Sequence, residues 1–283
     1  MINKNTKFLI VGLGLLGGSY ALGLKKEGYH VSAIARREAT IQYALEHTMI
    51  DEGSCDVNTL ISDADVIIFG LYPTTMIEWI KQYQHLFKPH ALLSDVSGVK
   101  TNIVDTIQSF LREDVEFISA HPMAGKESSG IEYANTEMFK HANYIITPTA
   151  KNTQEAIDFS YDLAYTLHFN HIAVLTCEEH DRMIGFLSQL THVIAVSLMN
   201  THDNENLVEY TGDSFRDLTR IAKINESMWS ELFLLNKDIL LEEIDAFIAS
   251  ITNFRNVLAN EDIDEMKRLF IQSTNRRKKF DTH

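Results

Sequence analysis

A short glycine-rich segment near the start of the chain has the spacing of a phosphate-binding loop. Residues 12–17 read GLGLLG and fit G-x-G-x-x-G, directly after the apolar run 8–11 and at the start of a helix-like stretch. Gly12 would allow a tight turn, Gly14 would let the backbone approach a pyrophosphate, and Gly17 would let helix pack on strand. The helix N-terminus would add unpaired N–H groups and a positive dipole end. The segment predicts dinucleotide binding, and a glycine-rich turn without a ligand is the alternative.

The end of the second predicted strand bears on which dinucleotide is bound. NAD-binding loops place an acidic residue about 20 residues further on, where it holds the ribose 2′-hydroxyl. This chain has Ala35 there, followed by Arg36 and Arg37. Arginine can pair with the 2′-phosphate of NADP, although solvated surface charges are the alternative. The cofactor is therefore predicted as NADP or NAD, with NADP favoured. The predicted cofactor-binding residues are Gly12, Gly14, Leu15, Leu16, Gly17, Arg36 and Arg37.

Four further segments carry polar residues in distinctive runs. They are 95–100 (DVSGVK), 119–125 (SAHPMAG), 188–192 (SQLTH) and 214–222 (SFRDLTRIA), with Met228 and Trp229 soon after. Together with the glycine loop, this set resembles the prephenate and arogenate dehydrogenase family of tyrosine biosynthesis. The likeness runs from about Phe8 to the last predicted helix. The HPMAG and FRDLTRIA runs are far more specific than the glycine loop.

The resemblance implies roles for individual residues. His121 matches the histidine that hydrogen-bonds the ring hydroxyl of prephenate and helps to remove its proton. His192 is similar to a histidine that contacts the substrate and helps to select it. Arg220 is similar to the arginine that binds the ring carboxylate. Trp229 corresponds to an aromatic residue near the pocket, which the family supplies in some members from the neighbouring subunit. Ser97 is the candidate for the family's serine near the catalytic histidine.

Some positions depart from the family's pattern. The family often reads Asp-x-Gly-Ser-x-Lys, whereas this chain has Ser97 before Gly98, which leaves open whether Ser97 reaches His121. The family also often has a histidine where this chain has Gln189, and a glycine run where it has residues 211–213. These changes are expected to alter selectivity for the substrate side chain rather than to abolish the chemistry.

The proposed chemistry agrees with the residue types on independent grounds. Oxidising a secondary alcohol by hydride transfer needs a base for the hydroxyl proton, and histidine titrates in the right range. An arginine suits a carboxylate because it can bind one through two hydrogen bonds. Each residue also has an ordinary structural explanation. His192 could be a core histidine, Arg220 could pair with Asp217, and Trp229 could simply be core.

The elements that position these residues follow from the hydrophobic pattern. Short aliphatic runs alternate with helix-like stretches in the first half, which predicts βαβ units and a mostly parallel, doubly wound sheet of the Rossmann type. The predicted strands are 8–11, 31–35, 66–69, 91–93, 116–119, 142–147 and 172–175, and the predicted helices between them are 15–26, 39–47, 75–83, 100–111 and about 152–166. His121 is then expected to follow the fifth strand, at the edge where open α/β sheets bind ligands.

The second half of the chain reads as helical throughout. Thr176 and Glu179 have capping-box spacing, an apolar-periodic stretch runs to Met199, and 229–258 and 262–278 are amphipathic. We therefore predict a dinucleotide-binding domain at 1–175 and an all-α substrate and dimerisation domain at 176–283. A helical region of this size often buries its apolar faces in a dimer, so a homodimer is expected.

Composition and charge exclude several other classes of protein. The 283 residues contain 39 Asp and Glu against 25 Lys and Arg, a net charge of −14 that argues against a nucleic-acid partner. Two cysteines make no disulfide framework, which favours a cytoplasmic location. The uncharged run 8–24 is too short for a secure membrane span and too rich in glycine for a signal peptide, so no membrane association is expected. Residues 178–181 (EEHD) only superficially resemble a metal cluster, and no metal is predicted.

The sequence as a whole predicts an NAD(P)-dependent prephenate dehydrogenase. An arogenate dehydrogenase, which acts on the amino-acid analogue, is the nearest alternative. A β-hydroxyacid dehydrogenase or imine reductase would share the domain plan but would use a lysine on a C-terminal helix, and no matching motif is found. A non-catalytic NADP-sensing protein of the same fold is the alternative from another class.

Overall fold

A computed structural model describes residues 2–125, 128–203 and 205–281. The strands are β1 (Lys7–Val11), β2 (His30–Ile34), β3 (Glu52–Ser54), β4 (Val66–Phe69), β5 (Leu92–Asp95), β6 (Glu116–Phe117), β7 (Ser119–Pro122), β8 (Asn143–Thr147) and β9 (His171–Val174). The helices are α1 (Leu15–Lys26), α2 (Glu38–Glu46), α3 (Pro73–Tyr83), α4 (Thr101–Phe110), α5 (Gln154–Thr166), α6 (Cys177–Ile184), α7 (Thr191–Met199), α8 (Leu207–Tyr210), α9 (Asp213–Thr219), α10 (Glu226–Leu235), α11 (Lys237–Ala259) and α12 (Ile263–Arg277).

The main sheet has six parallel strands in the order β3-β2-β1-β4-β5-β6. The strand order reverses between β1 and β4, and open α/β sheets bind ligands at such a reversal, beyond the carboxyl ends of the strands. The predicted α/β class with a doubly wound parallel sheet is confirmed. The sequence did not reveal β3, because its residues Glu-Gly-Ser are partly exposed at the sheet edge and lack an apolar pattern.

Both faces of this sheet are covered. Successive residues of β1 alternate between two apolar clusters, with Phe8 and Ile10 in one and Leu9 and Val11 in the other. Strand side chains point alternately to opposite faces, so a strand buried on both sides is apolar throughout. The continuous apolar runs in the sequence therefore reflect a sheet held between two helical layers.

The predicted fifth strand, 116–119, is in fact two strands in two sheets. Glu116–Phe117 pairs in parallel with β5, whereas Ser119–Pro122 pairs antiparallel with β8 in a second sheet of order β7-β8-β9. His121 therefore lies within β7, and the expectation that it follows a strand was wrong. The apolar pattern runs through Ile118 without a turn residue, so the change of sheet left no mark in the sequence.

A nearly continuous helix follows the last strand. The Thr176 side chain and the Glu179 side chain form the predicted capping box at the start of α6. A π-helical segment, Gly185–Leu190, then joins α6 to α7. The whole of Cys177–Met199 is long and apolar enough to cross a membrane by length and composition alone. Two of its buried polar residues bond to other elements: Asp181 accepts the backbone N–H of Lys100, and Gln189 donates to the Leu232 carbonyl.

The described chain divides into two compact units. Unit one extends to Asn236, and unit two, from Lys237, consists of α11, α12 and a final turn. The sequence predicted one helix over 229–258, but α10 ends at Leu235 and α11 begins at Lys237. Asn236 breaks the pattern because its buried side chain donates to the Asp181 carbonyl at 3.0 Å and to Gln189 Oε1 at 2.8 Å. The predicted domain boundary at residue 175 stays a prediction.

Candidate active site

The glycine loop connects β1 to α1 and is shaped by two close approaches of backbone. Gly12 has a φ of +97°, and a Cβ there would lie 2.7 Å from the Gly70 carbonyl oxygen. A Cβ on Gly17 would lie 1.9 Å from the Gly12 carbonyl oxygen. Any side chain at either position would therefore force the loop, β4 and α1 apart. Gly14, by contrast, has no atom within 4 Å of a built Cβ, so the space beside it is open.

This loop fits the pyrophosphate of a dinucleotide. Gly14 is the N-cap residue of α1 and no side chain caps the helix, so its first N–H groups are left for a ligand to bind. At the end of β2, Arg36 and Arg37 are both exposed. Within the described ranges neither arginine is found in an ion pair. The two guanidinium groups are therefore accessible to a ligand phosphate.

Buried charges lie below the turn that follows β5. The ammonium of Lys100, wholly buried, donates to Asp95 Oδ2 at 3.0 Å and to the Ala120 carbonyl at 2.7 Å. Asp95 Oδ1 also accepts the hydroxyl of Ser119 at 2.5 Å. Burial lowers the pKa of Lys100, and the Asp95 carboxylate opposes that shift. The pair ties the end of β5 to β7, the strand that carries His121.

Ser97 belongs to this buried cluster. Its hydroxyl donates to Asp95 Oδ2, and its backbone N–H donates to the same carboxylate oxygen at 3.0 Å. The hydroxyl also lies 3.1 Å from the Val99 carbonyl oxygen, and no described hydrogen bond joins it to His121. The side chain that the sequence offered as a partner of His121 is therefore turned into the protein.

Gly98 and α10 border the ring of His121 on its outer side. A Cβ on Gly98 would lie 3.8 Å from His121 Nε2 and 3.6 Å from Leu232 Cδ1. His121 Nε2 therefore lies beside Gly98, the position at which the family's pattern would place its serine. Burial, together with His180 and Lys100, holds the pKa of His121 well below its ordinary value. The ring is consequently neutral at neutral pH, as a general base requires.

The inner nitrogen of His121 meets a second histidine. His121 Nδ1 lies 2.9 Å from Nε2 of His180, and His180 Nδ1 lies 2.8 Å from Asp181 Oδ1. The Asp181 carboxylate also accepts the backbone N–H groups of Lys100 and Thr101, each at 2.8 Å. Asp181 thus caps α4 from another helix, at the end of the dipole that favours an anion.

His192 and Trp229 are brought together by α7 and α10. Their ring centroids are 3.7 Å apart at an interplanar angle of 32°. Nδ1 of His192 lies 2.9 Å from the Ser188 carbonyl oxygen one turn earlier. Trp229 lies one turn before Leu232, the residue that approaches Gly98, so α10 brings the Trp229 member of this pair to the side of His121.

Arg220 begins the short turn Arg220–Ala222 that follows α9. This turn packs against α7, the helix that carries His192, and the Arg220 side chain is exposed. Gln189 is buried, and its amide donates at 3.0 Å to the carbonyl of Leu232, the residue that approaches Gly98. The expectation that Gln189 affects selectivity for the substrate side chain stays a prediction.

Sequence reasoning missed His180 and Asp181 as parts of this site. Residues 178–181 resemble a metal cluster only superficially in the sequence, and Glu178 and Glu179 are exposed at the helix start. The only signal available was the pairing of a histidine with an acid on the apolar side of α6, where both are buried. Their connection to His121 depends on the contact between α6 and β7, which spans 59 residues of sequence.

Comparison with known proteins gives matches over most of the chain. Residues 20–172 match the family model for the prephenate dehydrogenase nucleotide-binding domain, and residues 176–272 match the model for the prephenate dehydrogenase dimerization domain. A prephenate dehydrogenase of Bacillus subtilis is 32% identical over 270 residues, which cover 93% of this chain and 72% of that protein. A prephenate dehydrogenase of Lactococcus lactis is 29% identical, and the alignment covers 98% of this chain and 78% of that protein.

A solved structure is similar over nearly the full length. It is the prephenate dehydrogenase of Aquifex aeolicus in complex with hydroxyphenyl propionate and NAD+. The TM-score is 0.89 at 26% sequence identity, and the alignment covers 97% of this chain and 98% of that one. The likeness thus includes both the strands and the helices that follow them.

Proposed function

The chain belongs to the prephenate dehydrogenase family, and from that premise we propose that it converts prephenate to 4-hydroxyphenylpyruvate by oxidative decarboxylation. It is an NAD(P)-dependent oxidoreductase. The observation that best supports the assignment in this chain is the position of His121, where burial also lowers its pKa. Its Nε2 faces the turn at Gly98, beside the helix that carries Trp229.

His121 supplies the base for the reaction. Its Nε2 accepts the proton of the substrate's ring hydroxyl as the carbon bearing that hydroxyl is oxidised. The ring carboxylate leaves as carbon dioxide and the ring becomes aromatic, which makes the step effectively irreversible. Because burial keeps the His121 pKa low, the histidine is already unprotonated when substrate binds at neutral pH.

The glycine loop is proposed to hold the cofactor. A nicotinamide dinucleotide held there would supply the acceptor for the hydride that leaves the substrate carbon. Gly12 and Gly17 keep the loop compact, while Gly14, Leu15 and Leu16 lie at the uncapped start of α1, where N–H groups would bind the pyrophosphate. The open space at Gly14 is the feature that supports this assignment.

Arg36 and Arg37 favour NADP over NAD. Both are exposed at the end of β2, where a 2′-phosphate would be bound, and Ala35 offers no carboxylate for a 2′-hydroxyl. Replacing both arginines with serine should raise the KM for NADP about tenfold or more and leave the KM for NAD within about threefold. Lys81→Ser, an exposed cation on α3, serves as the control. A wild-type preference for NAD would contradict the assignment.

Substrate binding is assigned to His192, Trp229 and Arg220. Arg220 suits the ring carboxylate because a guanidinium can bind it through two hydrogen bonds, and its turn packs against the helix that carries His192. Arg220→Gln should therefore raise the KM for prephenate more than it lowers kcat. An unchanged KM would remove Arg220 from the site.

A homodimer and a cytoplasmic location complete the proposal. The match to the dimerization domain supports the dimer, as does an exposed apolar stripe on α11. We also propose a boundary between residues 1–175 and 176–283, supported by the last strand ending at Val174.

One assay tests the proposed activity. The protein is mixed with prephenate or arogenate and with NAD or NADP, and the near-ultraviolet absorbance of the reduced nicotinamide is followed. Turnover with prephenate and carbon dioxide release are expected. Turnover with arogenate alone would reassign the substrate, and turnover with neither would contradict the proposal.

A further inference from the structure

The contacts behind His121 fix which of its nitrogens carries a proton. Asp181 accepts two backbone N–H groups and lies 2.8 Å from His180 Nδ1. Burial alone would raise the Asp181 pKa, but the hydrogen bonds from His180 and Thr101 outweigh it and lower the pKa. Asp181 is therefore a carboxylate, which can only accept hydrogen bonds, so the proton of His180 must be on Nδ1.

The same reasoning extends one residue further. Neutral imidazole has one N–H and one bare nitrogen, so a proton on His180 Nδ1 leaves its Nε2 as an acceptor. His121 Nδ1 lies 2.9 Å from that acceptor and must donate to it. The remaining nitrogen of His121, Nε2, is then unprotonated and faces Gly98.

We propose that His180 and Asp181 are positioning residues that fix the tautomer of His121, so that Nε2 presents its lone pair to the substrate hydroxyl. The role for the reaction rests on the proposed function, whereas the tautomer itself does not. Neither residue touches the reacting atoms, since His180 is wholly buried behind His121 and Asp181 lies behind His180.

The charged groups around the hydrogen-bonded series His121–His180–Asp181 determine how easily His121 takes up a proton. Asp181 and Asp95 provide negative charge, whereas the Lys100 ammonium opposes a second cation nearby. Cys177, on α6, is the other titratable group here, and burial raises its pKa so that it stays a neutral thiol. On accepting the substrate proton, His121 donates through both nitrogens, and the Asp181 carboxylate compensates the charge through His180.

Nitrogen-15 NMR of histidine-labelled protein tests the tautomer without substrate. In the wild type, Nε2 of His121 should show the chemical shift of an unprotonated nitrogen and Nδ1 that of a protonated one. In Asp181→Asn the amide can donate to His180 Nδ1, which would reverse both tautomers. A wild-type His121 protonated on Nε2 at neutral pH would overturn the proposal.

The Asp181→Asn substitution should also lower turnover with prephenate. The corresponding change behind a catalytic histidine of a serine protease costs about 10⁴-fold in kcat, and we expect a loss of at least about 100-fold here with little change in KM. Asn236→Ala is the control, because Asn236 bonds to the Asp181 carbonyl and not to its carboxylate. It should leave kcat within about threefold.

A pair of substitutions at His180 covers the case in which Asp181→Asn does not fold. His180→Gln keeps an oxygen that can accept from His121 Nδ1, and His180→Leu does not, although the two side chains are similar in size. We expect kcat of His180→Leu to be about 100-fold below that of wild type. The kcat of His180→Gln should be at least about tenfold higher than that of His180→Leu. Equal kcat values in the two variants would overturn the proposal. Lack of wild-type turnover would instead contradict the proposed function and leave the NMR result standing.

Discussion

Ser97 and Gly98 have opposite surroundings although they are adjacent in the turn after β5. The Ser97 side chain points to the buried Asp95, whereas Gly98 faces His121 Nε2 and Leu232. The sequence showed the motif and its reversed order, but it could not tell which residue faces His121. That depends on the backbone of the turn, which the contacts of Lys100 and Asp95 hold in place.

Ser97→Ala distinguishes a catalytic serine from a positioning one. The Ser97 hydroxyl donates a hydrogen bond to Asp95, so its removal should lower the free energy of unfolding by about 1–3 kcal/mol. The kcat should stay within about threefold of wild type. Urea unfolding and steady-state kinetics measure the two quantities. A kcat reduced 100-fold at unchanged stability would restore Ser97 as a catalytic residue.

The buried Lys100–Asp95 pair should be needed for stability. Lys100→Met leaves a buried carboxylate without its counter-ion, which typically costs about 3–5 kcal/mol. Lys88→Met is a matched control, because Lys88 is exposed and its partner Asp65 is only half-buried, and ion pairs near the surface contribute about 1 kcal/mol or less. Equal destabilisation in the two variants would contradict the role given to the buried pair.

The lowered histidine pKa values predict a pH dependence of stability. Burial lowers the pKa of both His121 and His180 from 6.5, so the unfolded chain binds these protons more readily than the folded one. Their contribution to stability is present above pH 6.5 and is lost as the pH falls through that value. Each group adds a slope of up to about 1.4 kcal/mol per pH unit. Urea unfolding between pH 7.5 and 5.5 should show a smaller slope for His121→Gln than for wild type, and equal slopes would contradict this.

At the scale of elements, the sequence predicted those features that depend on residues close together in the chain. The β1–loop–α1 unit, the capping box at Thr176 and the ends of α1 agree with prediction because each depends on residues close in sequence. The strand break at Ile118 and the helix break at Asn236 depend on distant partners. Asn236, for example, bonds to Asp181 and Gln189, more than 40 residues away.

Two glycines of the cofactor loop should respond oppositely to substitution by alanine. At Gly17 the new Cβ would clash with the Gly12 carbonyl, and we expect a loss of at least about 2 kcal/mol in stability. At Gly14 the Cβ would enter open space, so stability should stay within about 1 kcal/mol while the cofactor Kd rises about tenfold. Thermal unfolding and cofactor titration separate the two effects. Normal cofactor binding by Gly14→Ala would exclude this loop as the pyrophosphate site.

At the scale of the whole molecule, net charge is a poor guide to the site. The chain carries a net charge of −14, yet the proposed cofactor and substrate are both anions. The positive charge proposed to bind them is local, at Arg36, Arg37, Arg220 and the start of α1. Composition thus argues against a general polyanion binder but gives no information on small anionic ligands.

The apolar stripe on α11 predicts a dimer contact. Leu241, Ile248, Ile251 and Leu258 recur at helical spacing and are about half exposed. Ile251→Glu should shift the protein from dimer to monomer in size-exclusion chromatography with light scattering, because it places a charge in an apolar contact. Asn253→Glu, a polar and exposed position on the same helix, is the control. A dimer that persists in Ile251→Glu would place the interface elsewhere.

The most direct test of the account compares wild type with His121→Asn in prephenate turnover and cofactor binding. Asparagine cannot accept the hydroxyl proton as a base, so kcat should fall at least about 100-fold while the cofactor Kd stays within about twofold. A variant that turns over prephenate at the wild-type rate would contradict the account.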